Sequence, residues 1–153
     1  MKMPAHENSY KNLLIMAVLS FISMYVLMYA MVDTFANVLP NINQFYMAGL
    51  MTLPMIILEI VLMGSMYMNR KLNYSIIALC SVLLIAFFFF IRQQSFVSDK
   101  QFLRSMIPHH ASALLMCEKT NLKDPGLNDL CVSIISGQQK EIDLMKAKLE
   151  TLK

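Results

Sequence analysis

Charged residues are scarce in this 153-residue chain, which is 57% apolar and only 15% charged. Soluble domains carry about 25% charged residues, so an ordinary soluble domain is excluded. Only four of the 13 lysines and arginines, and three of the ten acidic residues, precede residue 92. The net charge is +3 and no run of lysine or arginine occurs, which excludes a strongly basic nucleic-acid-binding protein.

Sequence motifs of catalysis are also missing. The chain has no Gly-rich phosphate-binding loop, no heme motif and no convincing set of nucleophile, base and orienting residue. It also lacks the Glu-x-x-His pairs that carboxylate di-metal oxidases need. We therefore expect that the protein is not an enzyme.

Methionine, by contrast, is abundant. Twelve of the 15 methionines precede residue 92 and three follow it. Either methionine serves here as an ordinary apolar residue, or the protein requires thioether sulfur.

Three apolar stretches predict transmembrane helices at Leu13–Val32, Tyr46–Met68 and Tyr74–Ile91. The first contains 20 residues without a charge, enough to cross a hydrocarbon core of about 30 Å. A cleaved signal peptide is the alternative for this stretch, but its apolar part would be shorter and would end in small residues. Residues 1–92 are therefore predicted to form a domain within the lipid bilayer.

Positively charged residues indicate the orientation of these helices, because they favour the cytoplasmic side. Lys2 and Lys11 precede the first helix, and Arg70 and Lys71 lie between the second and third. We expect the N-terminus in the cytoplasm and the chain after residue 92 on the periplasmic or extracellular side of a bacterial inner (plasma) membrane. Three positive charges shortly after the third helix weigh against this orientation.

Residues 93–153 predict a second domain, an antiparallel hairpin of two helices at about 99–120 and 125–151. The first predicted apolar face comprises Phe102, Leu103, Met106, His110, Ala113, Leu114 and Cys117. The second comprises Leu127, Leu130, Cys131, Ile134, Ile135, Gln138, Ile142, Met145, Leu149 and Leu152.

Capping residues mark where each helix of the hairpin begins. Ser98 and Gln101 predict a capping box, in which the hydroxyl accepts a backbone N–H and the amide reaches back. Asp124 is a predicted N-cap, and Pro125 follows at the first helical position. A fold about Asp124 places Cys117 opposite Cys131, Met106 opposite Ile142, and His110 opposite Gln138.

A histidine and a glutamine thus occupy positions where leucine would be expected, with sulfur and carboxylate nearby. Imidazole binds several transition metals, whereas thioether selects Cu(I), so copper is favoured over zinc and Cu(I) over Cu(II). The alternative is that Met106 and Met145 fill gaps in an apolar core, while His110 and Gln138 form a buried hydrogen-bonded pair.

Motifs in the hairpin resemble the domain of unknown function 305 family, a ferritin-like helical group containing copper-binding proteins. The motifs are Met106-Ile107-Pro108-His109-His110, then Ala113-x-x-Met116, then Gln138-x-x-Glu141-Ile142-x-x-Met145. The resemblance implies metal ligation by Met106, His109, His110, Met116 and Met145, with Glu141 and Gln138 as further candidates.

Fuller members of that family have two hairpins in a four-helix bundle, and this chain has one. A lone hairpin of this size would leave an apolar flank uncovered and would be marginally stable. We therefore expect a homodimer or higher homo-oligomer, in which His109 and Met116 face the partner hairpin.

Cysteines add a further question about the hairpin. Cys117 and Cys131 could form a disulfide, remain as buried thiols, or bind Cu(I) as thiolates. Cys80, inside the third apolar stretch, is interpreted as a small apolar residue.

Two functions follow from these residues. The first is a membrane-anchored extracytoplasmic copper-binding protein that acts in copper sequestration, resistance or delivery. The second is a copper transporter whose path is the Met47, Met51, Met55 and Glu59 face of the second apolar stretch. This alternative resembles, weakly, the copper transporters that pass Cu(I) through rings of thioethers.

Overall fold

A computed structural model describes the backbone of residues 5–152 and the side chains of residues 9–152. Lys2, which the orientation prediction used, lies outside the described residues. The described chain is all-helical and has no strands. The five α-helices are α1 (Ala5–Leu27), α2 (Ile42–Leu62), α3 (Arg70–Arg92), α4 (Asp99–Lys119) and α5 (Pro125–Thr151). Two short 3₁₀ helices, Met28–Met31 and Phe35–Asn37, lie between α1 and α2.

Three helical segments are long and apolar enough to cross a membrane, and this confirms the predicted fold class. They are Ser9–Met31, Ile42–Leu62 and Arg70–Arg92. At about 1.5 Å per residue, their 23, 21 and 23 residues span roughly 30 Å or more.

The second of these helices begins four residues earlier and ends six residues earlier than predicted. The side chain of Asn41 accepts a hydrogen bond from the backbone N–H of Gln44 (3.0 Å), which caps the first turn of α2. Turns over residues 63–66 end the helix. Apolarity alone set the predicted bounds, and it registers neither a polar cap nor the Gly64-Ser65 pair that lies within the turn.

Contacts divide the chain into two units. The three-helix unit comprises the chain through Leu27 together with Phe45–Ser95, and the hairpin unit comprises Met28–Gln44 together with the chain from Phe96 onward. The predicted boundary at residue 92 did not anticipate that residues 28–44, here called the 28–44 segment, belong with the hairpin.

Within the three-helix unit, α2 and α3 approach closely at Gly49. A Cβ atom at this position would collide with the ring of Phe87, so glycine is required for the observed spacing. Tyr46 is 4% exposed, and its hydroxyl donates to the carbonyl of Ser95 (3.1 Å).

The core of the hairpin unit is a small cluster of fully buried side chains, namely Ile107, Ala111, Leu114 and Ile142. Val32 and Leu39 of the 28–44 segment pack against this cluster. The 28–44 segment therefore covers part of the hairpin core, whereas His109 and Met116, on the flank that was expected to face a partner hairpin, are exposed.

The packing of the 28–44 segment also explains why the buried face of α4 differs from the predicted face. Ile107 and Ala111 are both 0% exposed, yet neither was in the predicted face, whereas Phe102 was and is 50% exposed. The prediction assumed one packing partner for α4. With α5 and the 28–44 segment both in contact, the buried face is rotated toward Ile107.

Candidate metal site

Local signals in the sequence position the two helices that carry the candidate site. The hydroxyl of Ser98 accepts a hydrogen bond from the backbone N–H of Gln101 (3.4 Å), and Asp124 caps α5 through the N–H of Leu127 (2.9 Å). Both predicted N-caps are confirmed. The second half of the capping box is wrong, because the Gln101 side chain accepts from the N–H of Ile42 (2.9 Å) instead.

His110 is the best-defined member of the site. It is 8% exposed, its Nδ1 lies 2.9 Å from the carbonyl oxygen of Met106, and its Nε2 lies 2.7 Å from Oε2 of Glu141. A carbonyl only accepts hydrogen bonds, so Nδ1 carries a hydrogen and donates it. Nε2 is therefore the ring nitrogen that faces the carboxylate of Glu141 and is left to accept a proton or a metal ion.

The predicted register is confirmed at the pair of Cys117 and Cys131, but His110 contacts Glu141 and not Gln138, which was predicted to lie opposite it. Gln138 lies one turn earlier on α5 and is half-buried, and its Oε1 is buried without a hydrogen-bond partner. Pairing of 110 with 141 and of 117 with 131 means that α4 and α5 run antiparallel, as predicted.

The remaining predicted ligands divide between the interior and the surface of the hairpin unit. Met106 and Met145 are half-buried, and Met145 packs against the core cluster. Met116 is 55% exposed. His109 is also exposed, and its ring centroid lies 6.0 Å from that of His110.

Among the described residues, no group of three or more His, Cys, Asp or Glu side chains could hold a metal ion. His110 and Glu141 supply two donors of these types. The half-buried Met106 and Met145 carry thioether donors, and the half-buried Gln138 carries an amide.

Cys117 and Cys131 are joined by a disulfide near the turn of the hairpin, with their Cα atoms 5.2 Å apart. This separation lies within the range of about 4.4–6.8 Å that disulfides require. Cys80 is a free and buried cysteine.

The proposed transport residues lie in the three-helix unit. Met51 and Met55 are 41% and 37% exposed, so their side chains face outward from the single chain. Glu59 accepts a hydrogen bond from the hydroxyl of Tyr67 (3.2 Å). Because α2 ends at Leu62, Glu59 lies one turn from the end of the helix and not in its middle.

The 28–44 segment contributes polar contacts that the sequence analysis missed. Pro108 lies inside α4 and has no N–H, which frees the carbonyl of Arg104 four residues earlier. The amide of Asn41 donates to this carbonyl (3.4 Å), and its oxygen accepts from the hydroxyl of Ser105 (3.2 Å). Pro108 was the sequence signal, because a buried carbonyl without its helical partner needs another donor.

Taken together, the fold defines a protein with three candidate membrane helices and a disulfide-linked helical hairpin. The profile of a family described as "Domain of unknown function (DUF305)" matches residues 92–149. A protein described as "Uncharacterized protein L153", from Acanthamoeba polyphaga mimivirus, is 34% identical over 144 residues, which are 92% of this chain and 93% of that protein. The predicted resemblance to DUF305 is therefore confirmed for residues 92–149, and the chain as a whole belongs to the same family as the mimivirus protein. No solved structure matches the chain.

Proposed function

We propose that the chain is a membrane-anchored copper-binding protein whose site lies in the hairpin unit, on the side of the membrane away from the cytoplasm. The observation that carries this proposal is the arrangement of His110 between the carbonyl of Met106 and the carboxylate of Glu141. Sequestration, resistance or delivery of copper is the corresponding role.

The ring of His110 is oriented as metal-binding histidines usually are. Such histidines donate one ring N–H to a carbonyl or carboxylate, which fixes the tautomer and leaves the other nitrogen as the ligand. Here Nδ1 donates to Met106, and Nε2 faces Glu141. A metal cation can bind between these two groups, and the exposed Glu141 side chain, 58% accessible, has room to adjust.

Sulfur near this pair favours copper over zinc. Met106 lies one turn before His110, and Met145 lies one turn after Glu141, where residues four apart share a helix face. Thioethers favour Cu(I). The Oε1 atom of Gln138 is buried without a hydrogen-bond partner. Because buried polar atoms rarely lack a partner, we expect a polar group or an ion next to this atom.

The disulfide supports the proposed side of the membrane. Cys117 and Cys131 are bonded, and stable disulfides are rare in the reducing cytosol. The orientation agrees with the positively charged Arg70 and Lys71 in the first turn of α3.

Copper titration of the full chain in detergent tests the proposal, because the 28–44 segment is part of the hairpin unit and a truncated hairpin would lack it. Loss of a partner that only orients a metal ligand typically costs about 10–100-fold in affinity, and loss of a ligand should cost at least as much. We therefore expect Glu141→Gln and His110→Ala each to weaken Cu(I) binding by at least about 10-fold. Glu150→Gln, which removes the same charge from another exposed position of α5, is the control and should bind as wild type.

Met106→Leu separates copper chemistry from a change in folding, because leucine conserves the volume of methionine and is usually tolerated. We expect weaker binding of Cu(I) with little change for Zn(II). Wild-type Cu(I) affinity in all three site variants would refute the proposed site.

A shared site between two chains is an extension of this proposal. His109 and Met116 are exposed and could supply ligands to a second hairpin unit. Native mass spectrometry should then show even-numbered species that carry copper, and a monomer with a full metal load would contradict sharing.

The transporter alternative predicts loss of copper flux in vesicles for a Met51→Leu and Met55→Leu double variant.

A further inference from the structure

A cavity of about 530 Å³ lies in the three-helix unit, between the end of α2 and the start of α3. Such a volume falls within the range of about 300–1,000 Å³ that is common for sites of small molecules. Ile60, Val61 and Ile77 form apolar walls, and Arg70 and Asn73 contribute polar groups. Val61 is 61% exposed, so the cavity is open to its surroundings.

The guanidinium group of Arg70 is available to a ligand. Among the described residues, the structure has one ion pair, which joins His110 to Glu141. Glu59 is the only carboxylate of α2, and it accepts a hydrogen bond from Tyr67. Arg70 is exposed and borders the cavity, and no carboxylate of the described side chains pairs with it.

The position of the cavity along the chain indicates its surroundings. α2 ends at Leu62 and α3 begins at Arg70, and both helices are long and apolar enough to cross a membrane. Their adjacent ends therefore lie where the hydrocarbon core of a bilayer meets the lipid headgroups. Apolar walls next to a cation at this depth match an amphiphile with a negative head.

We propose that this cavity binds an acidic phospholipid, with its phosphate at Arg70 and the upper part of an acyl chain along Val61 and Ile77. Arginine binds phosphate oxygens through two parallel hydrogen bonds. The proposed cytoplasmic orientation of this end also favours the assignment, because the cytoplasmic leaflet carries the negative lipids. The site is separate from the proposed copper site and does not depend on it.

Native mass spectrometry of the full chain, extracted from bilayers of equal phosphatidylglycerol and phosphatidylcholine, tests the proposal by counting retained lipids. We expect one phosphatidylglycerol per chain, retained in preference to phosphatidylcholine. Arg70→Gln should lower this retention by at least about fivefold. Lys71→Gln removes the same charge from a neighbour that does not line the cavity and should have a clearly smaller effect.

A second pair of variants tests the cavity by its volume. Val61→Trp should fill the opening and displace the lipid. Leu58→Trp places the same side chain one turn earlier on α2, at a position that is 55% exposed and outside the cavity, so it should retain the lipid. Circular dichroism should show unchanged helicity in all variants.

Three results would overturn the assignment. Equal losses in Arg70→Gln and Lys71→Gln would mean that diffuse surface charge attracts the lipid. Undiminished retention in Val61→Trp would place the lipid elsewhere. Displacement by equimolar glycerol 3-phosphate would mean that the site recognises a phosphate and not a lipid.

Discussion

Asn41 holds the 28–44 segment to the hairpin, and its replacement by alanine gives a quantitative test of this fold. The residue is 5% exposed. Its amide nitrogen donates to the carbonyls of Leu39 (3.0 Å) and Arg104 (3.4 Å). Its oxygen accepts from the N–H of Gln44 (3.0 Å) and the hydroxyl of Ser105 (3.2 Å). All four hydrogen bonds lie within the hairpin unit.

The loss of two of these hydrogen bonds sets the size of the expected destabilisation. Removal of an N-cap typically costs about 1 kcal/mol. The carbonyl of Arg104 has no helical donor because Pro108 lacks an N–H, and a buried acceptor left without a donor costs about 1–3 kcal/mol. We therefore expect Asn41→Ala to destabilise the hairpin unit by about 2–4 kcal/mol.

Hydrogen–deuterium exchange of the full chain in detergent can measure this change separately for each helix. With about 1.4 kcal/mol per tenfold, amides in the core of α4 should exchange roughly 30- to 700-fold faster. Asn128→Ala is the control, because Asn128 is exposed and donates only at 3.5 Å to the carbonyl of Leu122. Equal exchange of α4 in both variants would refute the role assigned to Asn41.

Two further predictions concern the stability of the hairpin unit. Replacement of both Cys117 and Cys131 by serine opens a cross-link between residues 14 apart, which should cost about 3 kcal/mol and make thermal unfolding insensitive to reductant. Unchanged stability of the serine variant would contradict the stabilising role of this disulfide. Ile142 is 0% exposed, so Ile142→Ala should cost about 2–5 kcal/mol. Leu144, at 71% exposure, should tolerate alanine within about 0.5 kcal/mol in the same denaturation assay, and equal costs would mean that the buried face of α5 is wrongly assigned.

Much of the candidate site could be predicted from local sequence, but its pairing could not. The spacing of Met106, His110 and Met145 predicted these residues as candidate ligands, and helix periodicity placed His110 in the interior, where the structure has it. Gln138 and Glu141 are three residues apart on α5, which is less than one helical turn of 3.6 residues. A register predicted from the position of the loop between α4 and α5 cannot distinguish residues this close together.

The sequence by itself determined the elements whose causes are local. Long apolar stretches predicted three apolar helices. The side chains of Ser98 and Asp124 predicted where α4 and α5 begin, because a cap bonds to backbone only three residues away. The tertiary structure alone decided what covers the hairpin. Residues 28–44 carry little charge or periodicity of their own. Their place against Ile107 and at the freed carbonyl beside Pro108 comes from contacts more than 60 residues apart in the chain, such as that of Asn41 with Arg104.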